Sequence, residues 1–349
     1  MMKSLSNSSA RQIIYAIKSF HGEPRGGSQI VFNKCLDVLS EKYILSLIAP
    51  FENIPLVSGN GIKVNVKRTI IRAYKILKIN LIANKLIRSG KSVFGETKSC
   101  SIVYFQPPAE DKFPFVLDVL IEHMLNIVDV LSRKWRDNRE LVIYNSKFTM
   151  DKFRVKKKGA LEQILLPGIV PGIPRIEIKD KEKPLILTIS RISREKNLEA
   201  IQNIIKGIRC EHIIIGYCSD FKYLETLKFL LPNSKIIANA TSEEKNAMLR
   251  KARILLHTAI NEPAGLVYME AMSFGVIPLA HDSGGSREIV PEEYRYTNYE
   301  EANLKIKQYI NSYDEGVMLN LQEVSRHYTE ESFRNNLLDI MQNFLPSKN

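Results

Sequence analysis

Asn261 to Gly275 reads NEPAGLVYMEAMSFG, and this stretch decides the architecture. Two glutamates, Glu262 and Glu270, stand eight positions apart. Between them Pro263, Ala264 and Gly265 form a turn that opens a helix, predicted over 264–274. The first amides of a helix lack intrahelical partners and its dipole favours negative charge, so the N–H groups of Ala264, Gly265 and Leu266 suit a diphosphate. Glu270 lies more than one turn inside the helix, where a carboxylate takes two ribose hydroxyls. Glu262 lies ahead of the helix, where it faces a sugar. The competing reading is a pair of solvated helix carboxylates, which the surrounding Pro-Ala-Gly turn disfavours.

Working outward, strands and helices alternate. Strands are predicted at 185–190, 213–216, 235–238, 254–256 and 276–280. Helices are predicted at 198–208, 221–230, 242–251 and from 286 to 289. The helix at 242 has Ser242 at the cap position and Lys245 where a capping box has its acid. Such alternation implies an α/β fold with a parallel sheet and ligands at the carboxyl ends of its strands. A second α/β pattern precedes it: a strand at 11–20, the loop HGEPRGG at 21–27, a helix at 28–39, then strands at 43–49, 101–105 and 141–144, with helical spacing from 115 to 135. The stretch 166–184 is rich in Pro and charge, and its later part reads as the linker. The domains expected are therefore 1–170 and 171–329, with a helix at about 330–344, in the C-terminal segment 330–349, packing back across the hinge.

The excess positive charge is one-sided. Of the net +12, residues 1–170 carry 27 Lys and Arg against 14 Asp and Glu, and the remainder is close to neutral. Residues 61–91 hold Lys63, Lys67, Arg68, Arg72, Lys75, Lys78, Lys85, Arg88 and Lys91 with no acidic residue, interleaved with Ile, Leu and Tyr. A solvated surface helix and a helix attached to an anionic membrane surface both fit this pattern. Nucleic acid fits less well, because the apolar content is high and no groove-reading motif is present. Four cysteines without CxxC spacing read as reduced thiols, and no 18-residue apolar run or leader-like N-terminus is found, so a cytoplasmic protein is expected, peripheral at most at the membrane's cytosolic face.

Three stretches carry a resemblance. NEPAGLVYMEAMSFGVIP resembles the E-x7-E signature of glycosyltransferase family 4, the retaining enzymes of the GT-B architecture, through Glu262, Gly265, Leu266, Glu270, Ala271, Met272, Gly275 and Pro278. It departs from the family at Pro263 and Ala264. HDSGGSREIV is similar to the family's Gly-Gly-x-x-Glu-Ile-Val ending through Gly284, Gly285, Glu288, Ile289 and Val290. Upstream, LTISRISREKN is similar to the family's G-R-L-x-x-x-K-N segment and supplies Arg191 and Lys196, with Ser190 in place of Gly. Two cations at a strand end neutralise a diphosphate and stabilise a leaving nucleotide.

The resemblance implies two Rossmann-like doubly wound domains facing across a cleft. It implies a donor site of Gly27, Arg191, Lys196, Gly216, Ala240, Thr241, Glu262, Ala264, Gly265, Leu266 and Glu270, with Glu262, Arg191 and Lys196 as the catalytic set. Gly216 and the Asn239-Ala240-Thr241 segment sit where relatives hold the nucleobase, and Gly26-Gly27 where their backbone meets phosphate and acceptor. IVYFQPPAE resembles the Y-x-H-x-P stretch of the members that mannosylate dolichol-linked oligosaccharides, with Gln106 at the histidine position. Gln106, His21 and His123 are the acceptor-side candidates, although a structural role competes for each histidine. No Asp-x-Asp triplet occurs, so no metal and no cofactor is expected beyond the nucleotide sugar itself, a GDP- or UDP-sugar acting as substrate, with a glycan or lipid-linked acceptor. A synthase acting on a soluble acceptor and a non-catalytic sugar-nucleotide or glycan-binding relative compete with this reading. A dinucleotide oxidoreductase is excluded by the missing G-x-G-x-x-G.

Overall fold

The computed structural model describes residues 13–17, 27–48, 74, 77–89, 91–95, 100, 102–105, 140–154, 159–172, 183–218 and 220–345. His21, Gly26, Gln106 and His123, the whole helix expected over 115–135 and residues 173–182 of the expected linker lie outside them.

Two parallel sheets organise the described chain. The first holds β1 (Ile13–Ile17), β2 (Ile44–Ile48), β3 (Ser92–Gly95), β4 (Ile102–Phe105), β5 (Leu141–Tyr144) and β6 (Leu161–Ile164) in the order β2-β1-β3-β4-β5-β6. The second holds β7 (Leu185–Ile189), β8 (Glu211–Gly216), β9 (Ser234–Ala238), β10 (Ala252–His257), β11 (Ile277–His281) and β12 (Arg295–Tyr296) in the order β12-β11-β10-β7-β8-β9. Every pairing is parallel. The inner strands β10 (ARILLH) and β5 (LVIY) are buried along their whole length, as strands covered on both faces must be. In the second sheet, chain order reverses between β7 and β10, and such a switch point opens a crevice at the carboxyl ends of the strands.

Among the described residues the helices are α1 (Gly27–Lys42), α2 (77–88), α3 (Lys147–Phe153), α4 (Ile201–Ile204), α5 (Phe221–Leu230), α6 (Ser242–Leu249), α7 (Leu266–Ser273), α8 (Ser286–Ile289), α9 (Tyr299–Ser312), α10 (Glu315–Ser325) and α11 (Glu330–Phe344). The helix expected over 198–208 is a 3-10 turn at Leu198–Ala200 followed only by α4, although Leu198, Ile201 and Ile204 are buried as their spacing requires. The strands β3 and β6 were not foreseen. Each has four residues, and β6 lies at the sheet edge with none of its four positions buried, so neither has an apolar run to betray it.

The cap of α6 also differs from expectation by one residue. Thr241 is the N-cap, its hydroxyl accepting from Glu244 N at 3.1 Å, while Thr241 N donates to the Glu244 carboxylate at 2.8 Å. The capping box is therefore complete, and Lys245 is free of it.

The apolar face of α2 is turned inward. Ile79, Ala83 and Ile87 share a core with Val93, Val103, Val142 and Tyr144, which makes this part of the basic segment a structural helix of the domain. Tyr74, Leu77 and Leu81 form an exposed stripe, with Lys85 and Arg88 also exposed. Residues 61–73 lie outside the described part.

At the C-terminus the chain returns to the first domain. Phe333, Leu337, Met341 and Phe344 of α11 lie in the same core as Ile14, Phe32, Leu39 and Phe94. Two crossings between the domains are zipped together: Ile169 N donates to Tyr328 O at 2.8 Å and Glu330 N to Ile169 O at 3.0 Å. Lys34 reaches over them to Gly168 O at 2.9 Å and to the Glu330 carboxylate at 2.5 Å.

Candidate donor site

The switch point brings together residues that are distant in sequence. After β7 the chain passes Arg191 and makes a 3-10 turn at Arg194–Lys196. After β10 it runs through Asn261 and Glu262 into α7. The Lys196 ammonium bonds the Glu262 carboxylate at 2.6 Å, across 66 positions of sequence. The side chains retain 14% and 18% exposure, enough shielding to strengthen the pair without sealing it. Thr258 donates to Lys196 O at 2.8 Å, which holds the backbone of that turn. Asn197, at the left-handed φ of 52°, donates to Thr258 O and to the Tyr299 hydroxyl, both at 3.3 Å. Arg191 is steadied by Glu195 at 3.4 Å.

Burial pushes the Glu262 carboxyl up, but the Lys196 ammonium and the Arg191 guanidinium pull it down, and the balance lies below the ordinary carboxylate value. Glu262 is therefore an anion at neutral pH. His257 ends β10 beside it. Burial drives its pKa down to about 4, so it is neutral, and its Nδ1 lies 3.0 Å from the Tyr268 hydroxyl.

Helix α7 begins at Leu266 rather than at Ala264. Gly265 is its N-cap in the left-handed region, and Ala264 is buried in the preceding loop. The helix is buried at Tyr268, Met269, Ala271 and Met272, so its sequence is apolar on nearly every side and Glu270 stands on its open strip. Both oxygens of Glu270 accept from Lys245 of α6, at 2.8 and 2.9 Å. Leu266 packs against the cores of both domains, which places the N-terminus of α7 in the cleft.

Gly284 and Gly285 seat the loop that carries Glu262. Gly284 has φ of 67°, and a Cβ there would lie 2.6 Å from Glu262 O. Gly285 N donates to that same oxygen at 2.7 Å. At the other end of the crevice, Gly216 allows β7 and β8 to close: a Cβ would stand 1.6 Å from Ser190 O. Asn239, also left-handed, accepts from Cys218 N at 3.1 Å and positions the Ala240-Thr241 segment. Gly216→Ala is expected to force the strand ends apart and destabilise the domain by about 3 kcal/mol, seen as a lowered urea midpoint. An unchanged midpoint would show that the strand ends yield without cost.

Of the sequence-derived residues, Arg191, Lys196, Glu262, Gly265, Leu266 and Glu270 gather around the crevice. Gly216, Ala240 and Thr241 flank it on β8 and after β9, and Gly27 begins α1 of the facing domain. Sequence reasoning missed Lys245, Thr258, Asn197 and His257. Lys245 was hidden by the misplaced cap. A Thr-x-x-Glu match starting at Thr241 would have released it as a cation on the exposed part of α6. Among the described residues no group of three or more His, Cys, Asp and Glu gathers to hold a metal ion.

Two doubly wound domains facing across a cleft, with a cation-and-helix site at the switch point of the second, define the GT-B architecture of glycosyltransferases. Residues 171–322, which contain every switch-point residue named above, match the family model of glycosyl transferases group 1. Sulfoquinovosyl transferase SQD2 of Arabidopsis thaliana is 28% identical over 147 residues, covering 41% of this chain and 28% of that protein. Glycogen synthase 1 of Nitrosococcus oceani is 26% identical over 139 residues, covering 37% of this chain and 28% of that protein. The chain thus spans under a third of the length of these curated relatives. In fold it resembles sucrose-phosphate synthase from Thermosynechococcus elongatus, with a TM-score of 0.69 at 13% identity over 95% of this chain and 99% of that one. It also resembles Anabaena HepE in complex with UDP, with a TM-score of 0.62 at 15% identity over 95% and 100% of the two chains.

Proposed function

We propose that this chain is a retaining glycosyltransferase that moves a hexose from a nucleotide sugar to a glycan or lipid-linked acceptor. The observation that carries the proposal is the switch-point crevice itself. There Lys196, Arg191 and the N-terminus of α7 offer positive charge to a diphosphate, with Glu262 and Glu270 spaced to meet the sugar and the ribose. When donor binds, Arg191 and Lys196 take the diphosphate charge as the glycosidic C–O bond breaks, and Glu262 faces the sugar. The acceptor hydroxyl attacks on the face the diphosphate leaves, and its proton passes to the departing phosphate oxygen. Rate then comes from positioning and fixed charge in a site that closure shields from water. The first donor assigned is GDP-mannose, on the resemblance of Tyr104 to Pro108 to the mannosyltransferase stretch. A UDP-sugar is the competing donor, since HepE is described in complex with UDP. A lipid-linked acceptor at the cytosolic face of an anionic membrane fits the positive first domain and the exposed stripe of α2 with Lys85 and Arg88. No described helix is long and apolar enough to cross a membrane.

The test is a thermal-shift panel of GDP-mannose, UDP-glucose, UDP-galactose and UDP-N-acetylglucosamine on wild type and Glu270→Ala. One donor should raise the wild-type midpoint by several degrees, and the variant should lose that rise. No rise with any nucleotide sugar would overturn the donor site.

A further inference from the structure

The first turn of α3, in the N-terminal domain, is capped jointly by both domains. The amides of Lys147, Phe148 and Thr149 precede its first helical bond, which runs from Met150 N to Ser146 O at 3.1 Å. Thr149 N donates to the Ser146 hydroxyl at 3.0 Å. The other two cross the cleft. Lys147 N donates to one oxygen of Glu288 at 2.8 Å, and Phe148 N to the other at 2.7 Å. A carboxylate on two adjacent amides at a helix N-terminus is a charge-assisted contact that the helix dipole also favours.

Each side of this contact is stiff. Glu288 belongs to α8, whose Ser286 hydroxyl bonds His281 O at 2.6 Å and Ser283 O at 2.9 Å. The same loop bonds the donor-site loop twice, through Asn261 N to the Ser283 hydroxyl at 2.8 Å and Gly285 N to Glu262 O at 2.7 Å. On the far side, Ser146 and Thr149 are buried directly after β5, an inner strand of the first sheet. A displacement of the first domain therefore reaches the backbone of Glu262 through only one polar contact and a braced loop.

We propose that Glu288 is a positioning residue that holds the two domains at the separation transfer requires, registering the acceptor-side domain against the donor-facing Glu262. The proposal rests on the glycosyltransferase reading for its effect on turnover, and on geometry alone for its effect on domain separation. Opening the cleft exposes two amides that only Glu288 serves, so loss of its charge favours the open form. Misplacement of reactants by about 1 Å costs on the order of 10²-fold in rate.

The experiment compares wild type, Glu288→Gln and Lys147→Pro. Lys147 is the first residue of α3, where proline is tolerated, so the second variant removes one clamping amide without touching Glu288. Small-angle X-ray scattering reads domain separation, calorimetric titration with GDP and UDP reads the donor site, and turnover is measured with the donor the panel selects. Both variants should show a larger radius of gyration and about 10²-fold slower turnover, with wild-type nucleotide affinity. Scattering identical to wild type in both folded variants would overturn the proposal, as would open variants that turn over normally. A wild type that binds neither nucleotide would sink the functional reading, while the scattering would still decide the clamp.

Discussion

Glu262→Ala is expected to lower turnover by about 10²–10³-fold and stability by about 3 kcal/mol. The two effects have one cause. Lys196 keeps only 14% side-chain exposure, and its ammonium lies 2.6 Å from the carboxylate that would be removed. Without that carboxylate the cation stays poorly hydrated and uncompensated, which is the expensive way to break an ion pair. A double variant, Lys196→Met with Glu262→Leu, removes both charges and should recover most of the stability but none of the activity. Denaturant midpoints and initial rates on the three proteins separate the two roles. If Glu262→Ala were as active as wild type, the crevice would not be the reaction site. The sign with pH follows from the lowered Glu262 pKa: its ionic contribution to stability is present above the ordinary carboxylate value of 4.5 and is lost as pH falls through the depressed folded value.

The second large effect is acid destabilisation through two buried imidazoles. Burial drives both His212 and His257 down to about 4 from the ordinary 6.5. His212 is locked between strands. The Thr188 hydroxyl gives its proton to Leu256 O at 2.9 Å, so Thr188 accepts from His212 Nε2 at 3.1 Å. His212 Nδ1, being neutral, then accepts from the Ser234 hydroxyl at 2.8 Å. His257 meets Tyr268 at Nδ1, with Lys196 and Glu262 nearby. Both folded values are depressed, so the unfolded chain binds more protons than the native one between pH 6.5 and about 4. Stability therefore falls as pH falls across that window, by about 2 kcal/mol per histidine at pH 5. Urea unfolding from pH 7 to pH 5 measures the slope, and His212→Gln should flatten about half of it. A wild-type midpoint indifferent to pH over that range would show that neither imidazole stays neutral in the fold.

The C-terminal half was readable because its strands are continuous apolar runs separated by amphipathic or apolar helices. Patterns such as LILTI and ARILLH have few alternatives once two faces must be buried. The first half was less readable. Its strands β3 and β6 are four residues long, and β6 is an edge whose side chains are not buried, so hydrophobicity does not mark it. The basic segment illustrates a further limit. Its apolar positions read equally as a membrane face or a core face, and α2 resolves this for Ile79, Ala83 and Ile87 by burying them.

By itself the sequence determined the α/β alternation, the helix that opens after Pro263-Ala264-Gly265, and the identities of Arg191, Lys196, Glu262 and Glu270. These depend on local spacing and residue chemistry. Only the tertiary structure decided which charges pair. Lys196 reaches Glu262 across 66 positions, Lys245 reaches Glu270 across 25, and Glu288 reaches the amides of α3 across about 140, because the switch point and the returning C-terminal helix bring those segments together. A charge in sequence has a sign but no partner, and partners are set by the order in which strands assemble into a sheet.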